Sequence, residues 1–138
     1  MIYLDSSALM KLVRQEGETA ALGEWLARRT EQQVVSSALA RVEVLRAARR
    51  VGGPAMAEAR AVVADLDLIP LDHAVQDVAC DIGDPALRTL DALHLASALL
   101  LGAQLTTFIA FDHRLADAAR AAGLPVATPG LGPESPPH

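Results

Sequence analysis

Short apolar runs alternate with helix-periodic segments along the whole 138-residue chain, beginning with the run Ile2–Leu4. A short apolar run bounded by turn signals is typical of a buried strand, whereas apolar positions three and four residues apart predict an amphipathic helix. On these criteria the predicted strands are residues 2–5, 34–37, 68–71, 104–108 and 125–127. The predicted helices are residues 7–14, 18–32, 38–51, 54–65, 73–82, 89–101 and 113–122. Strands that alternate with helices indicate an α/β fold with a parallel sheet and right-handed crossovers.

Polar residues suited to helix capping stand at several strand-to-helix junctions. Ser6 and Ser7 follow the first strand and are the predicted N-cap residues of the first helix. Ser37, Asp72 and Asp112 stand at the equivalent positions before the third, fifth and seventh helices.

Composition restricts the class of protein. Apolar residues make up 51% of the chain and aromatic residues 3%, which favours one helix-rich, tightly packed domain. We expect this domain to occupy residues 1–128 and the Pro- and Gly-rich residues 129–138 to form a tail outside the core. The single Cys80 excludes a disulfide framework. Without a secretory signal or an apolar run near the roughly 18 residues of a membrane span, we expect a cytoplasmic protein.

The formal net charge of −5 argues against non-specific binding to nucleic acid. The positive charges are unevenly placed, however, because Arg41, Arg46, Arg49 and Arg50 lie in one predicted helix. A bound cation would also neutralise acids that gather at one site. The charge balance therefore weakens a nucleic-acid function without excluding it.

Four carboxylates stand near strand-to-helix junctions. Asp5 follows strand 1, Glu43 lies in the first turns of the helix after strand 2, Asp91 opens the helix before strand 4, and Asp112 follows strand 4. The carboxyl ends of parallel strands form the edge where open α/β sheets bind ligands, and helix N-termini tolerate negative charge there. Asp5, Glu43 and Asp91 are embedded in apolar sequence, where a lone carboxylate is costly. We expect these acids to share a cation; structural caps and ion pairs are the alternative, above all for Asp112.

The chemistry of this set favours Mg²⁺ or Mn²⁺. Two carboxylates about 4 Å apart repel by roughly 4 kcal/mol at an effective dielectric of about 20, so four converge only with shifted protonation or a bound cation. All-oxygen ligands suit Mg²⁺ or Mn²⁺, which bridge phosphate oxygens and activate water for phosphodiester cleavage, and they disfavour Zn²⁺. The sequence has no GxGxxG, P-loop, HExxH or GxSxG motif, so the corresponding enzyme classes are unsupported.

Three further side chains are candidates for a role near the acids. His94 lies three residues after Asp91 on the same helical face, and is either a hydrogen-bonded structural histidine or a neighbour of the site. Arg46 and Arg50 lie three and seven residues after Glu43, near its helical face. They are candidates for contact with RNA or a partner, and a plain solvated face explains them equally well.

These residues carry a resemblance to a known family. The segments LDSSAL, ALARVEVLRA, RTLDALHLASAL and FDHRLADAARAAGLPV stand in the order and spacing of PIN-domain proteins. Over residues 2–129 the chain resembles, more narrowly, the VapC-type toxins of bacterial toxin–antitoxin pairs. The resemblance implies a three-layer fold, with helices on both faces of a parallel sheet ordered 3-2-1-4-5 and the acids between strands 1 and 4.

The same resemblance implies a Mg²⁺- or Mn²⁺-dependent endoribonuclease that inhibits growth. Asp5, Glu43, Asp91 and Asp112 match the family's acidic residues, which serve as metal ligands and in catalysis. Ser7 matches a small hydroxyl residue that supports the first carboxylate or a metal-bound water.

One position departs from the family pattern. Similar proteins often carry Thr or Ser two residues before the last acid, where this chain has Ala110, so Asp112 is expected to be the weaker ligand. A PIN-like RNA-binding module with little or no nuclease activity is the alternative function, and a hydrolase of small phosphate monoesters is a third. Metal-dependent turnover of RNA discriminates between them.

The expected partners are RNA, a VapB-type antitoxin implied by the resemblance, and a second copy of the chain. Helix 2 presents Leu22, Trp25 and Leu26 at helical spacing. Helix 3 adds a further face through Val42, Leu45 and Arg49. A domain of this size is not expected to bury both faces alone, so we expect a homodimer.

Overall fold

The computed structural model describes residues 1–131, which form one five-stranded sheet and its covering helices. The strands are β1 (Ile2–Leu4), β2 (Val34–Ser37), β3 (Asp67–Ile69), β4 (Thr107–Ile109) and β5 (Val126–Ala127). The α-helices are α1 (Ser6–Val13), α2 (Thr19–Ala27), α3 (Ala38–Val51), α4 (Ala55–Ala64), α5 (His73–Asp81), α6 (Thr89–Leu99) and α7 (His113–Ala121).

The pairs in this sheet are parallel, and the strand order is β3-β2-β1-β4-β5. The central strand is β1, where Tyr3 lies opposite Val35 of β2 and Phe108 of β4. The chain changes its direction of travel across the sheet between β1 and β4, and open α/β sheets bind ligands at such a switch point. The predicted fold class and strand order are confirmed.

Helices cover both faces of the sheet because alternate side chains of β1 point to opposite sides. Ile2 and Leu4 pack against the buried faces of α1 to α4. Tyr3 packs on the other face with Leu95 of α6 and stacks on Phe108, with ring centroids 5.2 Å apart. The continuous apolar run of β1 is thus typical of a parallel strand that is buried on both sides.

The first turn of α1 differs from the prediction. Asp5, and neither Ser6 nor Ser7, is the N-cap residue, because its carboxylate accepts a hydrogen bond from the amide of Ala8. Both serines are helical residues whose hydroxyls are free to bond elsewhere.

Most other element boundaries lie within a few residues of the predicted ones. Ser37, Asp72 and Asp112 cap α3, α5 and α7 as predicted. The strand predicted at 104–108 begins only at residue 107, because Gly102–Gln104 forms a 3₁₀ turn. Helix α2 ends at residue 27 instead of 32, and β3 spans 67–69 instead of 68–71.

The apolar face of α2 is covered only in part within the chain. Leu22 is fully buried, and Trp25 and Leu26 pack against the core formed with α1, α3 and α4. On α3, by contrast, Val42 is 51% exposed, and Leu90 in the first turn of α6 is 48% exposed. Apolar side chains that are at least partly exposed are therefore present on α2 as well as on α3 and α6.

The predicted tail lies mostly outside the described residues, since 132–138 are not among them. Gly130, at φ +91°, approaches α2 so closely that a Cβ on it would lie 2.9 Å from Cβ of Ala21. The first residues after 128 therefore pack against α2, and the domain boundary at residue 128 stays a prediction. Within residues 1–131, no helix combines the length and apolarity needed to cross a membrane.

Candidate active site

Asp5 lies directly after β1 and is only 3% exposed. Its amide donates to the carbonyl of Ile109 in β4, at 3.1 Å, so the residue is fixed at the switch point between the two strands. Its Oδ1 accepts from Oγ of Ser7 at 2.7 Å and from the amide of Ala8 at 2.9 Å. Within residues 1–131, nothing donates a hydrogen bond to Oδ2. One carboxylate oxygen is therefore anchored and the other is left for a ligand.

The hydroxyl of Ser7 joins the ends of the two central strands. It donates to Asp5 and also accepts from the amide of Phe111, at 2.9 Å, in the segment after β4. Ala110 is fully buried among apolar residues and offers no hydroxyl here. The predicted contact between Ser7 and the first carboxylate is thus present, and Ser7 bridges to the chain beside Asp112.

Burial raises the pKa of Asp5 from 3.8 to about 6. The charge of His94 and the hydrogen bonds from Ser7 and Ala8 oppose this rise, while the charge of Glu43 adds to it. No Lys or Arg among the described residues forms an ion pair with Asp5. A cation would therefore stabilise this carboxylate in its ionised form.

Glu43 projects from the second turn of α3 and is held by α1 and α6. Its Oε1 accepts from Oγ of Ser6 at 2.5 Å and contacts Nε2 of His94 at 2.7 Å. His94 is 2% exposed, and its Nδ1 lies 2.7 Å from the hydroxyl of Tyr3 in the central strand. One buried network therefore connects β1, α1, α3 and α6 at this edge of the sheet.

The protonation states in this network follow from its contacts. Burial raises the pKa of Glu43, but hydrogen bonds from His94 and Ser6 outweigh it and bring the pKa below its ordinary value. Burial raises the pKa of Tyr3 above its usual range, so its phenol stays protonated. Nε2 of His94 donates to the carboxylate of Glu43, and Nδ1 shares a hydrogen bond with the hydroxyl of Tyr3, a proton placement assigned from the partners. His94 thus orients one oxygen of Glu43, and Oε2 receives no hydrogen bond from a described residue.

Asp91 and Asp112 complete the set of predicted acids from α6 and α7. Asp91, in the first turn of α6, is partly buried and makes no side-chain hydrogen bond within residues 1–131. Burial raises its pKa, and the charge of Asp112 raises it further, against the lowering effects of His94 and Arg88. Asp112 is exposed, and its Oδ1 accepts from the amides of Arg114 and Leu115 at 2.9 and 3.2 Å. Asp112 is thus a helix cap, with Oδ2 available.

Electrostatic interactions connect these acids across the sheet edge. Glu43 raises the pKa of Asp5, and both Asp112 and Glu43 raise that of Asp91. Within residues 1–131, no three acidic, His or Cys side chains form a ready-made metal cage. Each of the four acids keeps an oxygen that receives no hydrogen bond from a described residue.

A groove of about 540 Å³ borders Glu43, and we call it the α3 groove. Its lining includes Ser6, Arg46, Arg50 and the exposed Leu90. The two arginines that were candidates for RNA or partner contact therefore lie beside an acid of the set.

The sequence did not predict the contacts of Ser6 and His94 with Glu43. The three-residue spacing from Asp91 was a signal that His94 lies near the site. Its partner Glu43, however, is 51 residues away, and only the packing of α3 beside α6 brings them together. Ser6 was interpreted as a cap, because its position directly after a strand suits that role equally well.

Comparison with known proteins agrees with this geometry. The family model described as PIN domain matches residues 2–121. Ribonuclease VapC35 of Mycobacterium tuberculosis is 45% identical over 132 residues, which cover 94% of this chain and 98% of the relative. Ribonuclease VapC47 of the same organism is 43% identical over 133 residues, covering 94% and 98%. Ribonuclease VapC46 is 46% identical over 128 residues, covering 93% and 97%. The chain therefore belongs to the PIN-domain family and, within it, to the VapC-type proteins.

Proposed function

We propose that this protein is a divalent-metal-dependent endoribonuclease that acts as the toxin of a bacterial toxin–antitoxin pair. The observation that carries the proposal is Asp5, a buried carboxylate with a raised pKa at the switch point that forms no ion pair with Lys or Arg within residues 1–131. The relatives named as VapC ribonucleases support RNA as the substrate.

Asp5 and Asp91 would be the main ligands of Mg²⁺ or Mn²⁺, and Glu43 and Asp112 would complete the site directly or through water. When bound, the ion supplies charge stabilisation at the scissile phosphate and lowers the pKa of a water that attacks it. The support for this assignment is the all-oxygen donor set and the free oxygen on each acid. Asp112 ranks lowest because it is exposed and already caps α7.

The chain's own residues prepare this site for a ligand. Ser7 and the amide of Ala8 hold Oδ1 of Asp5, and Ser6 and His94 hold Oε1 of Glu43. Each carboxylate is therefore restricted in rotation before a ligand arrives, which reduces the entropy lost on binding.

Arg46 and Arg50 in the α3 groove would bind RNA phosphates on one side of the acids. Both are exposed, and no carboxylate among the described residues pairs with them. Backbone contacts of this kind position RNA without reading its sequence, so the RNA target is a separate question.

We further propose that the protein acts in the cytoplasm, restrained by a VapB-type antitoxin, and that it forms a homodimer. An antitoxin Arg would make bidentate contacts with the acids, since an anionic pocket suits a planar guanidinium. Trp25 and Leu26 of α2 are only partly buried, which supports a self-association surface on the α2 face expected from the sequence.

The test is induced expression in a bacterial host, with sequencing of cleaved RNA ends and measurement of growth. The wild-type protein should produce new ends and arrest growth, whereas Asp5→Asn should do neither. Asp77→Asn, at an exposed position on α5, is the matched control and should behave as the wild type. RNA binding without new ends in the wild type would instead support a PIN-like binding module.

A further inference from the structure

A large pocket lies beside Asp91, and we call it the α7 pocket. It has a volume of about 1010 Å³ and lies between the loop from α5 to α6 and one side of α7. Small and apolar side chains form most of its wall, namely those of Ile82, Leu87, Ala118, Ala121 and Ala122. Asp91 also lines it, so the pocket borders one acid of the proposed site.

Two arginines give the α7 pocket an available positive charge. Arg88 and Arg114 both line it, both are exposed, and neither forms an ion pair within residues 1–131. Arg88 is near enough to Asp91 that its charge lowers the pKa of that carboxyl. Asp84 and Asp117 line the pocket together with Asp91. Asp117 pairs with Arg120 at 3.3 Å and Asp91 is a proposed ligand of the divalent ion, so Asp84 is the one lining carboxylate left to oppose the two arginines. The pocket therefore combines apolar walls with two exposed guanidinium groups that form no ion pair within residues 1–131.

These features match one nucleotide of an unpaired RNA strand. A nucleobase has broad apolar faces and stacks on arginine guanidinium planes as well as on aromatic rings, and its phosphates are anionic. Alanine side chains leave space for such a flat group on the side of α7. A protein helix would also find apolar contacts here, but Arg88 and Arg114 favour an anionic occupant that continues to the cleavage site.

Resting on the proposed function, we infer that the α7 pocket receives one unpaired nucleobase of the RNA substrate, with Arg88 and Arg114 binding its flanking phosphates. The RNA strand would then run from the arginines of the α3 groove, across the acids, into the α7 pocket. Apolar walls contact any base through its face, so the pocket selects an unstacked nucleotide at a fixed distance from the cut. It does not select one base identity.

The experiment uses a single-stranded RNA that the full-length wild-type protein cleaves at a mapped position. Binding is measured by fluorescence anisotropy with the Asp5→Asn protein, so that the RNA stays intact. A set of RNAs is made in which a different single nucleotide lacks its base. At one position beside the cut, the missing base should weaken binding about tenfold. The second variant adds Ala121→Leu, which fills the pocket from an exposed position at the end of α7. In that protein the intact RNA should bind more weakly and the effect of the missing base should disappear.

Arg88→Gln and Arg114→Gln should each weaken binding and reduce the salt dependence of the affinity by about one unit of slope. Arg28→Gln is the matched control, because Arg28 is exposed and lies outside the pocket lining. If the missing base weakens binding equally with and without Ala121→Leu, the pocket assignment is wrong. The proposed function would still stand in that case, provided that the wild-type protein cleaves RNA. The assignment also fails if Arg88→Gln and Arg114→Gln leave RNA binding intact and weaken only the complex with the antitoxin. A wild-type protein that cleaves no RNA would defeat the proposed function itself.

Discussion

Replacing Asp5 by Asn should stabilise the metal-free protein, and the gain should depend on pH. The pKa of Asp5 is about 6 in the folded chain against an ordinary value of 3.8, with burial as the main cause. The folded state therefore binds this proton more tightly than the unfolded state does. Stability from Asp5 is fully present below the ordinary pKa and is lost as the pH rises through about 6.

The difference of about two pKa units, at about 1.4 kcal/mol each, corresponds to about 3 kcal/mol at neutral and higher pH. Asn carries no charge at any pH, and its Oδ1 can still accept from Ser7 and the amide of Ala8. Asp5→Asn should therefore raise the free energy of unfolding by up to about 3 kcal/mol at about pH 8 and by much less at about pH 4. For a domain of this size, such a gain corresponds to a rise in Tm of roughly 10 °C.

The assay is urea unfolding of chelator-treated wild type and Asp5→Asn at both pH values, with Asp77→Asn as the exposed control. Added Mg²⁺ or Mn²⁺ should raise the stability of the wild type and leave Asp5→Asn almost unchanged, because only the native carboxylate set binds the ion. The reasoning is refuted if Asp5→Asn is no more stable than the wild type at the higher pH, or if its gain is equal at both.

Three further outcomes are expected. His94→Ala should lower the RNA cleavage rate and the affinity for the activating ion, each about 10- to 100-fold, because Glu43 loses its orienting donor. His94→Gln can donate to Glu43 and should recover much of both; equal loss in the two variants would assign His94 a purely structural role. Asp112→Ala should reduce the cleavage rate less than Asp91→Ala does, and the reverse order in the same assay would contradict the ligand ranking. Sedimentation should give a dimer mass, whereas a concentration-independent monomer in the wild type would exclude the homodimer.

The fold was largely predictable because the strands and helices of this chain have clear periodicities. The apolar run of β1 and the acids after β1 and β4 appear directly in the sequence, and parallel topology places their ends at one edge. Cap residues such as Ser37 were predicted because a local side-chain contact determines them.

The contacts that were missed depend on distant packing. His94 meets Glu43 because α6 lies beside α3, and no local pattern encodes that arrangement. Leu22 was expected on a partner-facing surface, but whether an amphipathic helix covers its own core or a second subunit depends on tertiary packing. The arginines of the α7 pocket were likewise not singled out, since they are far apart in sequence and lie in ordinary polar positions.

The central claim is that the acids at the switch point hold a divalent ion that RNA cleavage requires. The most direct measurement is cleavage of an end-labelled single-stranded RNA by the purified protein, with the divalent ion removed by a chelator and then restored in steps. The account predicts no cleavage in chelator, full recovery with Mg²⁺ or Mn²⁺, and no recovery in Asp5→Asn or Asp91→Asn. Cleavage that persists in the chelator, or that Asp5→Asn and Asp91→Asn retain at the wild-type rate, would contradict it.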